Sequence, residues 1–332
     1  MNLDKLLDVS GYWLGPPVWF GSARSEPLAL PGIPGQHLCA YRRILENGVE
    51  VVVTQAGLVL MNFAQLPPED PTSRQVAGAP FADDPHLVAA SLAAPRRVEI
   101  LNAHQLCLLS AIGTRESEED IWSPEPRPVS VPTLWTGVTE DPVTIPSTEV
   151  RAYFAFLTET STVLRTMFTF PPEVLDRSFT TFEGLLAVPI ATRVCHGLLH
   201  AADHYRHWRF DQALILAWSG VEELLNIAWE NHFTASAAAH GHKLNKERRD
   251  LLTGRDFSNA VVLESLALAG VLDPELYADL SQVRRARNRW AHGLDPVTAN
   301  AASTAIGVGL QVLDLVTGVQ LDVPFGLPSP NL

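Results

Sequence analysis

The sequence predicts an α+β protein of two domains, with a β-rich α+β N-terminal domain over residues 1–150 and an all-α antiparallel helical bundle over residues 151–323. The length of 332 residues exceeds that of one typical domain. Prolines are unevenly spread, because 17 of the 25 lie in residues 1–150 whereas residues 190–323 contain only Pro274 and Pro296. Since proline interrupts helices, this distribution favours helices in the second half.

The first half is predicted to be β-rich from a hairpin signal. Segments 38–46 and 49–54 flank Asn47-Gly48, a dipeptide typical of a type I′ turn because both of its positions need positive φ. An apolar run over 58–63 predicts a third strand. The stretches 67–85 and 123–146 are rich in Pro, Asp and Ala and are predicted to be loops. We find no motif of recognisable chemistry in this half.

The second half is predicted to be helical from its apolar periodicity. The predicted helices are 179–207 with a bend at Pro189, 212–232, 257–269, 274–291 and 299–317, with a basic polar loop at 240–249. Asp211 and Asp273 are the predicted N-caps, because their carboxylates can accept hydrogen bonds from free backbone N–H groups. Pro274 suits the first helical position, and Gly270 and Gly293 are placed to end their helices. Short connections between the helices favour an antiparallel bundle.

Composition narrows the class of protein. Hydrophobic residues make up 46% and charged residues 18%, which supplies a core and excludes a disordered chain. Three scattered cysteines favour a reducing compartment. The N-terminus carries no signal-peptide pattern, and the best candidate membrane span, 299–319, is interrupted by Gln311 and Asp314. The sequence therefore predicts a cytoplasmic protein with no membrane partner.

Two charged residues, Glu222 and Arg287, fall inside apolar stripes of the predicted helices. The stripes consist of Ile215, Trp218, Leu225 and Trp229 around Glu222, and of Leu276, Leu280, Val283, Trp290 and Ala291 around Arg287. A buried carboxylate and a buried guanidinium are costly unless they are paired. The sequence therefore predicts that the two residues meet as an ion pair. A purely structural pair that fixes helix register is the alternative.

The residues after Arg287 favour a chemical role. The segment 287–292 ends its predicted helix at His292, where a side chain can reach solvent. Imidazole titrates near neutrality and can take or give a proton. A guanidinium stays charged, and its forked donors match the oxygens of a phosphate. The pair is suited to cleaving RNA phosphodiesters, with His292 moving a proton and Arg287 stabilising the charge of the phosphorane.

The string Arg287-Asn288-x-x-x-His292 resembles the Arg-x4–6-His signature of HEPN domains, in which a polar residue such as Asn often follows the Arg. The signature stands at the end of the third of four successive predicted helices. Glu222 lies in a preceding long helix, whose segment 217–225 is also similar to that helix in such domains. The resemblance covers about residues 206–318 and does not include the N-terminal half.

This resemblance implies a HEPN-like bundle that dimerises and places two motifs around a shared cleft. Active members are metal-independent endoribonucleases that leave 2′,3′-cyclic phosphate ends, and they occur in toxin–antitoxin systems and phage defence. It implies that Arg287 and His292 are catalytic, that Asn288 positions the phosphate or His292, and that Glu222 orients Arg287, without a cofactor. The implied partners are RNA, a second copy of the chain, and an antitoxin or regulatory protein. The N-terminal domain is then expected to sense a trigger or to restrain activity.

A basic patch surrounds the motif. Residues 281–292 contain four arginines and no acidic residue, although the chain carries a formal net charge of −13. Arg284, Arg285 and Arg289 are therefore candidate RNA-binding residues, because a local positive patch can steer a phosphate chain while the remaining surface repels it. The alternative is a solvated helix face without a ligand.

A histidine stripe offers a competing prediction. His196, His200, His204 and His207, with Asp203, fall on one face of a predicted helix. Two histidines four residues apart can share a metal ion. The segment lacks the Glu of the metalloprotease arrangement and has no nearby cysteine pair, so we expect no metal and interpret the stripe as a polar face or a second wall of the RNA cleft.

Three functional classes follow from these patterns. The first is a metal-independent endoribonuclease of HEPN type, and we favour it because Arg287, Asn288 and His292 are all present. The second is a non-catalytic module of HEPN type that dimerises and binds nucleotides, RNA or a protein. The third is a metal-dependent enzyme that uses the histidine stripe.

Overall fold

The computed structural model describes most of the chain, with gaps that are largest in the first half. The described residues are 9–13, 18–20, 26–28, 37–55, 57–65, 85–113, 128–129, 168–254 and 257–323. The chain divides into two compact units, Met1–Glu183 (unit 1) and Gly184–Leu332 (unit 2). The domain boundary predicted at residue 150, and most of the predicted loops 67–85 and 123–146, lie outside the described residues.

Unit 1 contains a five-stranded antiparallel sheet in the order β1-β6-β5-β4-β3. Its strands are β1 Val9–Trp13, β3 Glu26–Leu28, β4 His37–Ile44, β5 Glu50–Thr54 and β6 Leu58–Asn62, and a separate parallel pair joins β2 Val18–Phe20 to β7 Phe168–Phe170. Strands β5 and β6 are central and supply buried valine, leucine and methionine side chains, as apolar and β-branched segments do. This sheet confirms the prediction that the first half of the chain contains strands.

The predicted hairpin is present, but its turn differs from the prediction. Strands β4 and β5 pair from Ile44 opposite Glu50. Between them the Gly48 N–H donates to the Leu45 carbonyl at 2.8 Å, and Gly48 has φ of 83°. Asn47 does not have a positive φ, so the type I′ turn is wrong. A turn closed by such a bond and ending in one left-handed glycine is typical of a three-residue hairpin loop, in which only the glycine needs positive φ.

A long helix in unit 1, α1 Pro85–Gly113, is missing from the sequence prediction. Two features conceal it: Pro95 lies within the helix, and its second half is buried nearly all round rather than along one stripe. The side chain of Asn102 holds the backbone of Val129 through two hydrogen bonds, at 2.7 and 3.0 Å. The first half of the chain is therefore mixed α and β.

Helix α2, Glu173–Leu186, is fastened to strand β4 by polar contacts. The Tyr41 hydroxyl donates to Asp176 at 2.8 Å, and the Tyr41 ring stacks on Phe179 with 5.4 Å between ring centroids. Arg43 forms an ion pair with Glu183 on the same face. Burial and the Asp176 hydrogen bond raise the pKa of Tyr41 to about 12, so the phenol keeps its proton and remains a donor.

A buried polar cluster joins β1, α1 and α2. Tyr12 Oη and His104 Nδ1 lie 2.8 Å apart, and His104 Nε2 lies 3.5 Å from Ser178 Oγ. The imidazole also stacks on Phe179, with ring centroids 4.1 Å apart. Complete burial lowers the pKa of His104 to about 3, because the protonated ring would lose its hydration. The cluster therefore has a structural role, with a neutral imidazole.

We expect the free energy of unfolding to decrease as the pH falls from about 6.5 towards 3, in part through His104. The folded pKa lies below the unfolded value of about 6.5, so the unfolded chain binds more protons in this window, at about 1.4 kcal/mol per pKa unit. Urea unfolding of the wild type and of His104→Gln at several pH values measures the contribution. A variant with the same pH dependence as the wild type would contradict it.

Unit 2 is built from helices, which confirms the helical prediction for the second half. They are α3 Ala191–Arg206, α4 Phe210–Ala239, α5 Lys246–Thr253, α6 Asn259–Leu268, α7 Pro274–Gly293 and α8 Ala299–Thr317. Helix α4 is central and packs against α3, α6, α7 and α8. The predicted helix 179–207 is two helices, α2 and α3, separated at the segment that contains Pro189.

Two details of the helix ends differ from the prediction. Asp211 is not an N-cap, because α4 begins at Phe210 and Asp211 lies in its first turn, where a carboxylate still favours the helix dipole. The predicted loop 240–249 is partly helical, since α5 begins at Lys246 and Asn245 caps it by accepting from the Arg248 N–H at 2.9 Å.

Helix α8 agrees with the predicted bounds 299–317 at both ends. Thr298 caps it by accepting from the Ala301 N–H at 3.2 Å, and Gly318 ends it with φ of 69°. Its buried face packs on α3, α4 and α7 and includes Gly309, where a Cβ would lie 2.5 Å from the Leu198 side chain. Among the described helices, α8 alone is long and apolar enough to cross a membrane by length and composition.

Candidate functional site

The candidate site lies on the C-terminal half of α7, and the sequence fixes how this helix begins. Asp273 accepts from the Leu276 N–H at 2.8 Å, and Pro274 occupies the first turn, as predicted. Leu276, Leu280 and Val283 are buried. This anchored apolar stripe sets the rotation of α7 about its axis and therefore the direction of each later side chain.

The motif residues divide between two faces of α7. At about 100° per residue, Arg284, Arg287 and Asn288 share one face, and all three are partly buried. Arg285, Arg289 and His292, at i, i+4 and i+7, share another face, and all three are exposed. Arg287 and His292 are about 140° apart around the helix axis. The two proposed catalytic side chains therefore leave the helix in different directions.

On the partly buried face, Arg287 and Asn288 interact directly. An Arg287 guanidinium nitrogen donates to the Asn288 side-chain oxygen at 3.2 Å, which leaves further guanidinium donors for a ligand. Arg284 lies one turn earlier, and its Nε is buried without a hydrogen-bond partner in the described structure. This face therefore presents several N–H donors that are partly shielded from solvent.

The ion pair expected between Glu222 and Arg287 is not present among the described residues, so this prediction is wrong. The Glu222 carboxylate instead accepts from the indole N–H of Trp218, one turn earlier on α4, at 2.7 Å. Both Glu222 and Arg287 are only partly buried, so neither requires an opposite charge to offset full desolvation. Apolar neighbours on a helix indicate the direction of a side chain but not the depth at which its charged end lies.

His292 stands in the last turn of α7, exposed, and makes no hydrogen bond within the described structure. The helix extends two residues beyond its predicted end at Ala291, and Gly293 is its last helical residue rather than the residue that terminates it. Leu294 takes the left-handed position with φ of 55°, and its N–H donates to the Trp290 carbonyl at 2.9 Å. The imidazole is free to meet a ligand from solvent.

His196, His200 and His204 lie on α3 as predicted, and His207 follows its last residue, Arg206. The His196 and His200 rings are 4.5 Å apart, and His207 Nδ1 lies 2.8 Å from the Asp203 carbonyl oxygen. Burial, with His196 next in importance, lowers the pKa of His200 to about 4. Within the described residues, no three His, Cys, Asp or Glu side chains converge as a metal site would require.

A shallow cleft of about 300 Å³ beside the end of α7 was not identified from the sequence. It is lined by the start of α4 with Trp208 before it, and by the end of α7 with the connection that follows, through Trp208, Phe210, Asp211, Trp290, Leu294 and Asp295. Trp208 and Leu294 are the described non-glycine residues with positive φ. The sequence gives only a partial signal for this cleft: a large apolar residue stands within two positions of the end of α3 and of α7, where glycine is usual.

The end of α3 resembles that of α7 in this respect. The Trp208 N–H donates to the Tyr205 carbonyl at 3.0 Å, and the Arg209 N–H donates to the His204 carbonyl at 2.9 Å. These two bonds form a Schellman motif, in which the left-handed position, here Trp208 with φ of 60°, is normally glycine. Trp208 and Leu294 are 68% and 77% exposed, so burial does not offset the backbone strain.

Comparisons with protein-family models, with curated proteins and with solved structures found no match for this chain.

We expect Leu294→Gly to raise the free energy of unfolding by about 1 kcal/mol, because glycine removes the strain at φ of 55° and an exposed leucine loses little burial. The matched control is Gly318→Ala at the end of α8, where φ is 69° and nothing lies within 4 Å, so stability should fall by a similar amount. Urea unfolding measures both variants. A destabilised Leu294→Gly would show that the Leu294 side chain contributes packing.

Proposed function

We propose that this protein is a metal-independent endoribonuclease of HEPN type that cleaves RNA to 2′,3′-cyclic phosphate ends. The observation that supports this proposal best is the arrangement at the end of α7. There, the Arg287 guanidinium is held by Asn288, and the exposed His292 extends a surface that carries Arg285 and Arg289. The resemblance to HEPN domains supports the proposal through the motif residues themselves.

The proposed reaction uses His292 to transfer protons and Arg287 to stabilise negative charge. The 2′-hydroxyl oxygen attacks the phosphorus, the bond from phosphorus to the 5′-oxygen breaks, and a cyclic phosphate forms. Imidazole of His292 takes the 2′-hydroxyl proton, and an imidazolium returns a proton to the leaving 5′-oxygen. The free donors of Arg287 stabilise the added negative charge on the phosphorane. Asn288 positions Arg287, whereas Glu222 accepts from Trp218 and forms no ion pair with Arg287 in the described structure.

We place this reaction between two copies of the chain. Arg287 and His292 of one chain leave α7 about 140° apart, so one chain alone presents them poorly to a single phosphate. A closed twofold dimer, which the resemblance implies, would bring both residues of each copy to a shared cleft. A cytoplasmic setting in toxin–antitoxin or phage-defence systems, with a neutralising or regulatory partner, is part of the same proposal.

One observation favours the alternative, a non-catalytic HEPN-type module that dimerises and binds RNA, nucleotides or a protein. The Glu222–Arg287 pair that would orient the guanidinium is absent from the described residues. In that case the arginines of α7 bind phosphate without cleaving it.

We expect the purified protein to cleave RNA in EDTA and to leave cyclic phosphate ends. His292→Ala should slow cleavage by about 10²- to 10⁴-fold, because it removes the proton-transfer group. Arg287→Ala should have an effect of at least 10²-fold, as the loss of a charge-stabilising donor does. The products and rates are measured on labelled RNA.

The matched controls are His240→Ala, an exposed histidine on the α4 end, and Arg42→Ala in strand β4, both of which should cleave as the wild type does. RNA binding without cleavage favours the non-catalytic alternative. Cleavage that EDTA abolishes contradicts the metal-independent mechanism.

We expect Arg285 and Arg289 to contribute to RNA affinity by binding phosphates. The double variant Arg285→Ala/Arg289→Ala should bind RNA more weakly at low salt and reduce the slope of log K against log salt concentration by about 1 to 2, depending on whether one or both guanidinium groups neutralise a phosphate. Filter binding across a salt series measures the slope. An unchanged slope would assign both arginines to a solvated helix face.

A further inference from the structure

The cleft beside the end of α7 combines aromatic surface with carboxylates. Trp208 presents an exposed indole, and its ring centroid lies 5.7 Å from that of Phe210 at 60° between the planes. Trp290 contributes a third aromatic side chain from within the motif segment. An exposed indole next to a cleft offers a flat ligand a stacking surface without further rearrangement.

The charge of the cleft selects what can enter it. Asp211 and Asp295 both line it, and neither forms a hydrogen bond or ion pair through its carboxylate in the described structure. No Lys, Arg or His is among the described residues that line it. A group with N–H donors is therefore favoured, because ionised carboxylates only accept hydrogen bonds.

We propose that this cleft binds a guanine base. Guanine places two donors side by side, the ring N1–H and the 2-amino group, which together match the two oxygens of one carboxylate. Adenine and cytosine each set an acceptor next to their amino group, and that acceptor would face a carboxylate lone pair. Trp208 stacks on the base, and Asp211 or Asp295 accepts from its Watson–Crick edge, as in recognition of unstacked RNA bases.

The backbone conformation at the cleft is a further argument that its side chains bind a ligand. Trp208 and Leu294 occupy left-handed positions that glycine would fill without strain, and both side chains are mostly exposed. Neither residue is explained by stability. Strained residues of this kind concentrate at binding sites, where the side chain contributes to function.

The inference rests on the proposed function, because it assigns the base that this RNA-cleaving site would prefer. The cleft shares α7 with the motif, since Trp290 lies between Asn288 and His292. A guanine held in the cleft would therefore place its ribose and phosphates near the end of α7, where the arginines lie. Cleavage would accordingly prefer bonds next to guanosine.

The test uses free nucleosides, which carry no phosphate and so do not need Arg287 or His292. Stacking and one charged hydrogen-bonded pair together predict a Kd of about 1 mM for guanosine. Inosine, which lacks only the 2-amino group, should bind about tenfold more weakly. Adenosine should bind more weakly still. Saturation-transfer NMR on the full chain measures these affinities.

Three variants define the cleft as the binding site. Trp208→Gly should lower guanosine affinity about tenfold or more while leaving the chain at least as stable, because glycine suits φ of 60°. Asp211→Asn and Asp295→Asn identify which carboxylate accepts, and at least one should reduce the preference for guanosine over inosine. The matched control Arg42→Ala, an exposed arginine of strand β4, should bind guanosine as the wild type does.

The outcomes separate this inference from the proposed function. Guanosine binding without RNA cleavage supports the cleft and contradicts the nuclease proposal. RNA cleavage without guanosine binding, or equal binding of guanosine and inosine, overturns the cleft assignment and leaves the nuclease proposal intact. Binding of choline in place of guanosine also overturns the assignment, because aromatic rings with carboxylates would then serve an ammonium group.

Discussion

The rotation of α7 about its axis is the constraint on which the whole candidate site depends. The Asp273 cap fixes where the helix begins, and the buried stripe through Leu280 fixes which side faces the core. Helical geometry then assigns every later residue to a face. Arg287 is consequently partly shielded next to Asn288, whereas His292 is exposed with the surface arginines.

The separation of these two faces changes how the motif can be understood. A guanidinium and an imidazole that leave one helix about 140° apart serve one phosphate best if a second copy supplies part of the cleft. The local hydrogen bonds agree with this view, because Glu222 and Arg287 each bond a neighbour on their own helix rather than each other, at 2.7 and 3.2 Å. A single chain thus presents donors and a proton-transfer group but does not assemble them.

The two units use buried histidine and exposed tryptophan in opposite ways. His104 is neutral and enclosed, with a pKa of about 3, and it joins three elements of unit 1. Trp208 is 68% exposed at a strained helix end, where it adds nothing to the core. A buried polar residue with hydrogen-bond partners has a structural role. A large apolar residue that is exposed and held in a strained conformation instead indicates a binding site. The proposal of a ligand at this cleft rests on that contrast.

The sequence by itself determined the elements whose signals are local. The β4–β5 hairpin, the Asp273 cap and the bounds of α8 follow from neighbouring residues, since turn chemistry, capping and periodicity act within a few positions. Only the tertiary structure decided the burial of α1 on nearly all sides, the partner of Glu222, and the cleft that joins Trp208 to Leu294. The burial of α1 and the cleft depend on chain segments far apart in sequence. Glu222 bonds Trp218 on its own helix, but the depth of its charged end depends on what packs over it, which no local pattern encodes.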